Sequence, residues 1–364
     1  MRVAVVLPRR FAFDEARPNS IESVVRTLNA RGATGDEVVV VADRAAPGAG
    51  GFEVAALDPH LTRTGRRRAL RAALARIAPD FVEVHQDAIT ASVLAQAMPT
   101  VPFALYRHNF VKPAAGPFKR WLRLRRYRRL AGLIFVSHAT REHFAASMPE
   151  IAGRCHTVQN AVEAPAWYAP VRPRDPVIAF AGRAAPEKGF GELCAALPLV
   201  LDACPDWRVG ICALDWGRHR AWAEAQVAPL RRFGPRLDLA LDQPIARVRA
   251  LLGRASIVLV PSVFPEPFGL AALEAHAAGA AVVSSGSGGL REASGEHALF
   301  LDAVTPEHLG AAIQRLIECA EERVALADAG QRWVAAHHDA RARGLELSAT
   351  RARVHRAFLE RRST

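Results

Sequence analysis

Short apolar runs rich in β-branched residues alternate with amphipathic stretches through the first half of the chain. RVAVVLP, EVVVVAD, DFVEVH, PFALYRH and LIFVSH read as strands, with helical patterns near 20–31, 66–77, 90–97, 117–130 and 139–147. Strands that are apolar on both faces, separated by helices, require a parallel sheet covered on both sides. The alternation stops at AVEAPAWYAPVRPRDP, residues 161–176, where prolines fix φ and remove donors, so this segment reads as an extended linker. It restarts as VIAFAG, WRVGICA, RLDLAL, SIVLVPS, AAVVSS and HALFLD, and from about 306 onward the chain reads as almost wholly helical. Two doubly wound α/β domains are therefore expected, as suits 364 residues. The expected boundaries are 1–165 and 166–341, with 342–364 a final helix returning to the first domain.

The chain carries 48 Lys and Arg against 36 Asp and Glu, a formal charge of +12. Such an excess favours an anionic partner, although an Arg- and Ala-rich coding bias produces the same total. The five cysteines form no CxxC pair and have no His at ligand spacing, which fits reduced thiols rather than a disulfide frame or zinc site. The apolar stretch in MRVAVVLPRRF is too short for a signal segment, and no run reaches the roughly 20 residues a membrane span needs. A cytoplasmic protein is expected, at most peripheral on the inner face of a membrane.

Three loops in the second half combine glycine with charge. FAGRAAPEKGFGEL, residues 180–193, follows a strand and opens a helix, placing Gly182, Arg183, Lys188 and Gly189 at a turn suited to a diphosphate. It matches neither the Walker pattern nor the GxGxxG fingerprint, and alone it reads equally well as an ordinary turn. PSVFPEPFGLAALEAHAAG, residues 261–279, sets Glu266 between two prolines, and Phe268, Gly269 and Leu270 then offer N–H groups at a helix start. Glu274 comes next, inside the helix, where nearby cations should keep it ionised to accept sugar hydroxyls; a solvated helix residue is the plainer alternative. GSGGLRE, residues 286–292, adds Gly288 and Gly289. All three loops are expected at one sheet edge.

GR-x-x-PEKG followed by PSxxPEPFGLxxLEAxAxG and GSGGLRE resembles glycosyltransferase family 4, retaining enzymes of the GT-B fold, whose two Rossmann-like domains face each other across a cleft. The resemblance is strong over 176–302 and looser before it, where VQNAVE at 158–163 looks like the entry to the family's linker. It implies that Arg183 and Lys188 bind the diphosphate of a nucleotide-sugar donor and that Glu274 holds the ribose. It further implies that Glu266, with the backbone of Phe268 and Gly269, holds the donor sugar. His108, in YRHNF, stands where the family places a histidine facing the sugar; His85 and His138 are second choices. The family's Gly-Gly pair after the first strand is missing from LPRRFAFDEARPNSIE. Arg9, Arg10 or Pro18-Asn19-Ser20 would have to replace it, with Ser20 as a helix cap.

The expected reaction is a retaining, metal-independent transfer of a hexosyl group, mannose being one guess, to a lipopolysaccharide, lipid-linked or polysaccharide acceptor. No DxD motif stands in a suitable loop, so cations and amide dipoles are expected to replace a divalent metal, and no cofactor is expected. KRWLRLRRYRRL at 119–130, with Arg123 and Arg126, and the second basic helix at 63–77 suit an anionic membrane surface that holds the acceptor. The rival readings are another GT-B sugar-nucleotide enzyme, an epimerase or phosphorylase, or a basic nucleic-acid-binding protein. The last explains the charge but neither the paired glutamates nor the glycine loops.

Overall fold

The computed structural model describes residues 1–16, 18–30, 35–45 and 51–363. The chain divides into two compact units: Met1–Asn160 with Ala340–Thr364, and Ala161–Asp339. The divisions thus fall at 160/161 and 339/340 rather than at 165/166 and 341/342. Val162 forms a bridge with Asp339, and its N–H donates to the His338 carbonyl at 3.0 Å, so the start and end of the second unit lie side by side.

Seven parallel strands form the sheet of the first unit. Their order is Glu53–Ala56, Glu37–Ala42, Arg2–Val6, Phe81–His85, Phe103–Arg107, Gly132–Phe135 and Cys155–Thr157. Val3–Val6 and Val39–Ala42 are wholly buried, the both-faces burial that their continuous apolar sequence requires. The edge strands Glu53–Ala56 and Cys155–Thr157 go beyond the expected set, being only four and three residues long and not fully buried. The helix at Ser20–Leu28 is capped one residue before the expected Ser20. Asn19 Oδ1 accepts from the amides of Ile21 and Glu22 at 3.0 and 3.1 Å, and Glu22 accepts in return from the Asn19 amide at 3.2 Å. The terminal helix Ala340–Ser363 packs on Ser20–Leu28 and sends Arg351 into the core of this unit.

Six parallel strands form the second sheet, in the order Leu237–Leu241, Arg208–Leu214, Asp175–Arg183, Ala255–Val260, Ala281–Ser284 and Leu299–Phe300. The 161–176 segment is not the loose linker its prolines suggest. It holds a short helix, Ala164–Trp167, whose Trp167 is buried. Arg174 then donates to the carbonyls of Leu252, Ala255 and Ala278, which moors the segment to this unit. Among the described residues, no helix is long and apolar enough to cross a membrane.

Candidate active site

In the second unit the strand order reverses between Asp175–Arg183 and Ala255–Val260, which lie side by side. Open α/β sheets bind ligands beyond the carboxyl ends of the strands flanking such a reversal. Those strands end in the Arg183–Gly189 turn and the Pro261–Gly269 loop. The next strand, Ala281–Ser284, ends in the Gly286–Gly289 loop, so the three sequence motifs stand at consecutive strand ends.

The motifs are tied together by close contacts. Lys188 Nζ lies 2.5 Å from Glu266 Oε1, and the Ser262 hydroxyl donates to the same oxygen at 2.5 Å. Glu266 is buried, so its charge depends on these two partners. The Lys188 ammonium also lies 5.1 Å from the centre of the Phe264 ring. Glu266 forms a bridge with Gly288, and its carbonyl accepts from the Gly289 amide at 2.8 Å. At Gly288, with φ of 63°, an added Cβ would stand 2.3 Å from the Glu266 carbonyl oxygen. At Gly189, with φ of 67°, it would stand 2.0 Å from the Pro261 carbonyl oxygen. Both turns therefore need glycine for conformation and for space. Ser262 and Phe264 carried no sequence signal of their own; they lie inside the Pro-rich loop that Glu266 had marked.

The remaining residues of this unit divide. Arg183 ends its strand and forms a half-exposed pair with Glu187 at 2.8 Å, a contact a competing anion can exchange. Gly182 stands beside it within the strand. The side chain of Phe268 is buried, 5.5 Å from the His338 ring, which leaves only its backbone for a ligand. Gly269, with φ of 116°, and Leu270 open the helix Leu270–Ala277, which has no side-chain cap. Glu274 does not behave as expected. It is half-buried, and burial raises its carboxyl to about 8, with Arg249, rather than Arg183 or Lys188, the charge that partly opposes the rise. Desolvation outweighs attraction there, so the carboxyl is largely protonated at neutral pH. A separate hollow lined by Arg172, Arg174, Ser256 and Arg323 opens near the starts of the strands, away from these loops.

The first unit holds a buried chain of polar side chains. His108 Nε2 lies 2.7 Å from His85 Nδ1, and His85 Nε2 lies 2.8 Å from Glu83 Oε1. Arg351 Nε donates to Glu83 Oε2 at 3.0 Å, and Arg351 Nη1 reaches Asp36 at 3.3 Å. Glu83, His85 and Arg351 are all but inaccessible, and His108 retains 9% exposure. Burial would raise the Glu83 carboxyl, but Arg351 and the His85 hydrogen bond outweigh it and hold it at about 2. Burial, with His85 and Arg107 nearby, holds His108 well below its usual range. Tyr106 stacks on both imidazoles with ring centres 4.9 Å away. His85 and His108, offered as alternatives by the sequence, thus form one array. His138 is exposed at the start of the helix His138–Ser147.

The arginines assigned to an acceptor or membrane are partly committed elsewhere. Arg9 donates to the Leu61 carbonyl at 2.7 Å and Arg123 to the Lys112 carbonyl at 2.5 Å, so neither guanidinium is a fully solvated charge. Arg10 is exposed, with its amide on Asp43 at 2.5 Å, and Arg126 is half-buried. Within the basic helix at Arg63–Ile77, Arg66 is a core ion pair with Asp43 at 2.6 Å.

Residues 169–333 match the model of the family described as glycosyl transferases group 1, and residues 19–164 match glycosyltransferase family 4. Both halves are glycosyltransferase domains. The D-inositol 3-phosphate glycosyltransferase of Corynebacterium glutamicum is 34% identical over 164 residues, 42% of this chain. That match spans only 37% of the relative's own length. The 2-deoxystreptamine glucosyltransferase of Streptomyces kanamyceticus is 27% identical over 74% of this chain and 76% of its own. Among solved structures, Anabaena Alr3699/HepE in complex with UDP superposes with a TM-score of 0.74 at 17% identity, covering 96% of this chain and 99% of that one. The two glycosyltransferase domains, each a parallel-sheet α/β unit, give the chain the GT-B fold.

Proposed function

We propose that the protein transfers a hexosyl group from a nucleoside-diphosphate sugar to a hydroxyl of a glycan or glycolipid, with retention at the anomeric carbon and without a metal ion. The observation that carries this reading is the Lys188 ammonium, fixed on Glu266 at the strand-order reversal of the second unit. In the transfer the anomeric C–O bond to the diphosphate breaks and one to the acceptor oxygen forms. The acceptor's proton passes to the departing phosphate, and no side-chain base is required. Charge grows on that phosphate; Lys188, Arg183 once displaced from Glu187, and the N–H groups opening Leu270–Ala277 would oppose it. Glu266 would accept from the sugar hydroxyls, and Glu274, as a neutral carboxyl, would pair with the ribose by accepting at its carbonyl oxygen and donating its hydroxyl hydrogen.

The relatives' names span inositol phosphate and deoxystreptamine, both polyhydroxylated acceptors. Alr3699/HepE was solved with UDP. The test is a panel of UDP-, GDP- and ADP-hexoses with a sugar alcohol or glycan acceptor, the product anomer read by NMR. Release of nucleoside diphosphate coupled to an α-linked product supports the reading. Phosphorolysis by free phosphate, or epimerised donor without transfer, would replace it.

Contact with an anionic membrane, where a lipid-linked acceptor would be met, has its own support. On the helix Pro117–Tyr127, Phe118 and Trp121 are 69% and 51% exposed and stack at 6.0 Å. Arg125 covers the Trp121 ring at 5.6 Å, and Lys119 and Arg128 are exposed nearby. Aromatic rings flanked by cations suit the headgroup region of an acidic bilayer. Flotation with phosphatidylglycerol vesicles but not phosphatidylcholine vesicles, reduced in Phe118→Ser/Trp121→Ser, is the expected result. Equal flotation with both would remove the membrane reading and leave the transfer reading intact.

A further inference from the structure

The hollow lined by Arg172, Arg174 and Arg323 carries positive charge that its protein neighbours leave largely uncancelled. Its volume is about 530 Å³, within the range of small-molecule sites, and it lies wholly inside the second unit. Arg174 donates Nε to the Ala255 carbonyl at 2.7 Å and Nη2 to that of Leu252 at 2.6 Å. Its Nη1 donates to the carbonyls of Pro170 and Ala278 at 2.9 and 2.7 Å. Arg323 Nη1 donates to the carbonyls of Leu316 and Ile317, and its guanidinium lies 5.4 Å from the centre of a Trp207 ring. Carbonyls and a ring face hold a guanidinium in place without cancelling its charge. Arg172 is exposed and has no side-chain partner among the described residues.

The carboxylates nearby are engaged with other cations. Asp175 pairs with Arg254 at 2.8 Å and Glu322 with Arg315 at 2.6 Å. Glu321, exposed in the first turn of the helix Ala320–His337, is the acid in the lining. Three guanidiniums against one carboxylate leave a surplus of two positive charges. Burial pulls Arg174 down to about 10 against the opposition of Asp175, and pulls Arg323 down as well, as befits cations short of counter-charge. The rest of the wall is apolar. Val324 and Ala327 share one face of the helix with Arg323, and Val171 and Pro173 come from the segment by which the chain enters the unit.

The hollow is remote from the donor loops. Arg174 and Ser256 stand at the starts of the strands Asp175–Arg183 and Ala255–Val260, whereas the Lys188 and Glu266 loops follow their far ends. Nine residues of strand, at about 3.3 Å each, put roughly 25 Å between the two places.

We propose that this hollow is a second binding site, separate from the donor loops, for a small phosphate monoester carried on an apolar body. At neutral pH such a group bears about two negative charges, which matches the surplus, whereas a single carboxylate would leave one unmatched. Arg172 and the Nε and Nη2 groups of Arg323, which have no acceptor among the described residues, donate to the phosphate; Arg174 adds its field. The body of the ligand lies against Pro173, Val324 and Ala327. Neither the donor loops nor the transfer reaction enters this inference, so it stands or falls apart from the transferase reading.

The test is calorimetry on the full-length protein with phenyl phosphate as the probe, and inorganic phosphate and benzoate as controls that lack the apolar body or the second charge. Phenyl phosphate should bind saturably, with unchanged affinity in Lys188→Met, which removes the cation of the donor loops. Arg172→Glu should weaken it at least about tenfold, as for a lost charge-assisted contact. Glu321→Gln should tighten it about threefold by removing the acid of the lining. Each control should bind at least about tenfold more weakly than phenyl phosphate in the wild type. Arg172 and Glu321 are exposed and without side-chain partners among the described residues, so both variants should fold, and they decide the matter should Lys188→Met not fold. No saturable binding at millimolar concentrations, or equal affinity in wild type and Arg172→Glu, would overturn the site. Affinity lost in Lys188→Met but kept in Arg172→Glu would assign the phosphate to the donor loops instead. Either control binding as tightly as phenyl phosphate would overturn the ligand class.

Discussion

Replacing Lys188 by Met separates two consequences of one contact. The methionine keeps most of the apolar stem and removes only the charge. Glu266 would then be a buried carboxylate left with Ser262 as its side-chain partner among the described residues. Breaking a fully buried pair costs about 3–5 kcal/mol. Lys188 keeps 21% of its side-chain surface, and the Ser262 hydrogen bond survives, so the cost should be nearer about 2 kcal/mol. Neutralising the orphan in Lys188→Met/Glu266→Gln should return more than half of that. Activity should not return, because the cation aimed at the leaving phosphate is still missing; a loss of about 10²–10³ in kcat is expected in both variants. Urea unfolding followed by tryptophan fluorescence is the assay for stability, since Trp167, Trp207, Trp216, Trp222 and Trp333 all belong to the second unit. Initial rates of nucleoside-diphosphate release give the other axis. A single variant as stable as wild type, or a double variant that regains activity, would refute the reasoning.

Three more outcomes are expected. Glu274, raised to about 8, makes the second unit less stable as pH rises from 4.5 to 8, because the folded state binds the proton more tightly than the unfolded chain. His276, wholly buried and lowered to about 3, makes it less stable as pH falls from 6.5 to 3. The two slopes, each up to about 1.4 kcal/mol per pH unit, oppose one another between 4.5 and 6.5. Glu274→Gln should therefore flatten the decline between pH 6.5 and 8 in urea titrations, and an unchanged profile contradicts the assignment. Gly288→Ala, whose Cβ would meet the Glu266 carbonyl at φ of 63°, should cost about 1–3 kcal/mol of stability and weaken donor binding in the same assays; a neutral result would mean the loop is not pinned. EDTA should leave initial rates unchanged, and loss of activity restored by Mn²⁺ would disprove metal-independent transfer.

Legibility tracked the range of each interaction. The three loops of the second unit could be read because glycine, proline and charge are local signals at strand ends, and parallel neighbours bring strand ends together without further specification. The Lys188–Glu266 contact spans 78 positions, yet both partners lay inside recognisable motifs. Glu83–Arg351 spans 268 positions and joins the middle of a strand to a terminal helix, so no window of sequence connects them. The period of two that puts Glu83 and His85 on one face of Phe81–His85 was the available clue. Arg66 failed for the opposite reason: it sits in a run of arginines that looks solvated, and only the fold reveals Asp43 beneath it. Trp167 was hidden in the same way, by prolines that signalled a linker. Glu274 misled because the cations expected beside it, Arg183 and Lys188, are not the charge that acts on it, and burial outweighs the Arg249 that does.

Binding of UDP, GDP and ADP to the full-length protein, measured by calorimetry and thermal unfolding in wild type and Lys188→Met, tests the central claim most directly. One nucleoside diphosphate should bind without added metal, should add about 2.7 kcal/mol of stability at a hundredfold excess over Kd, and should lose most of its affinity in the variant. Equal binding by both proteins, or none of the three by wild type, would contradict a diphosphate held at Lys188.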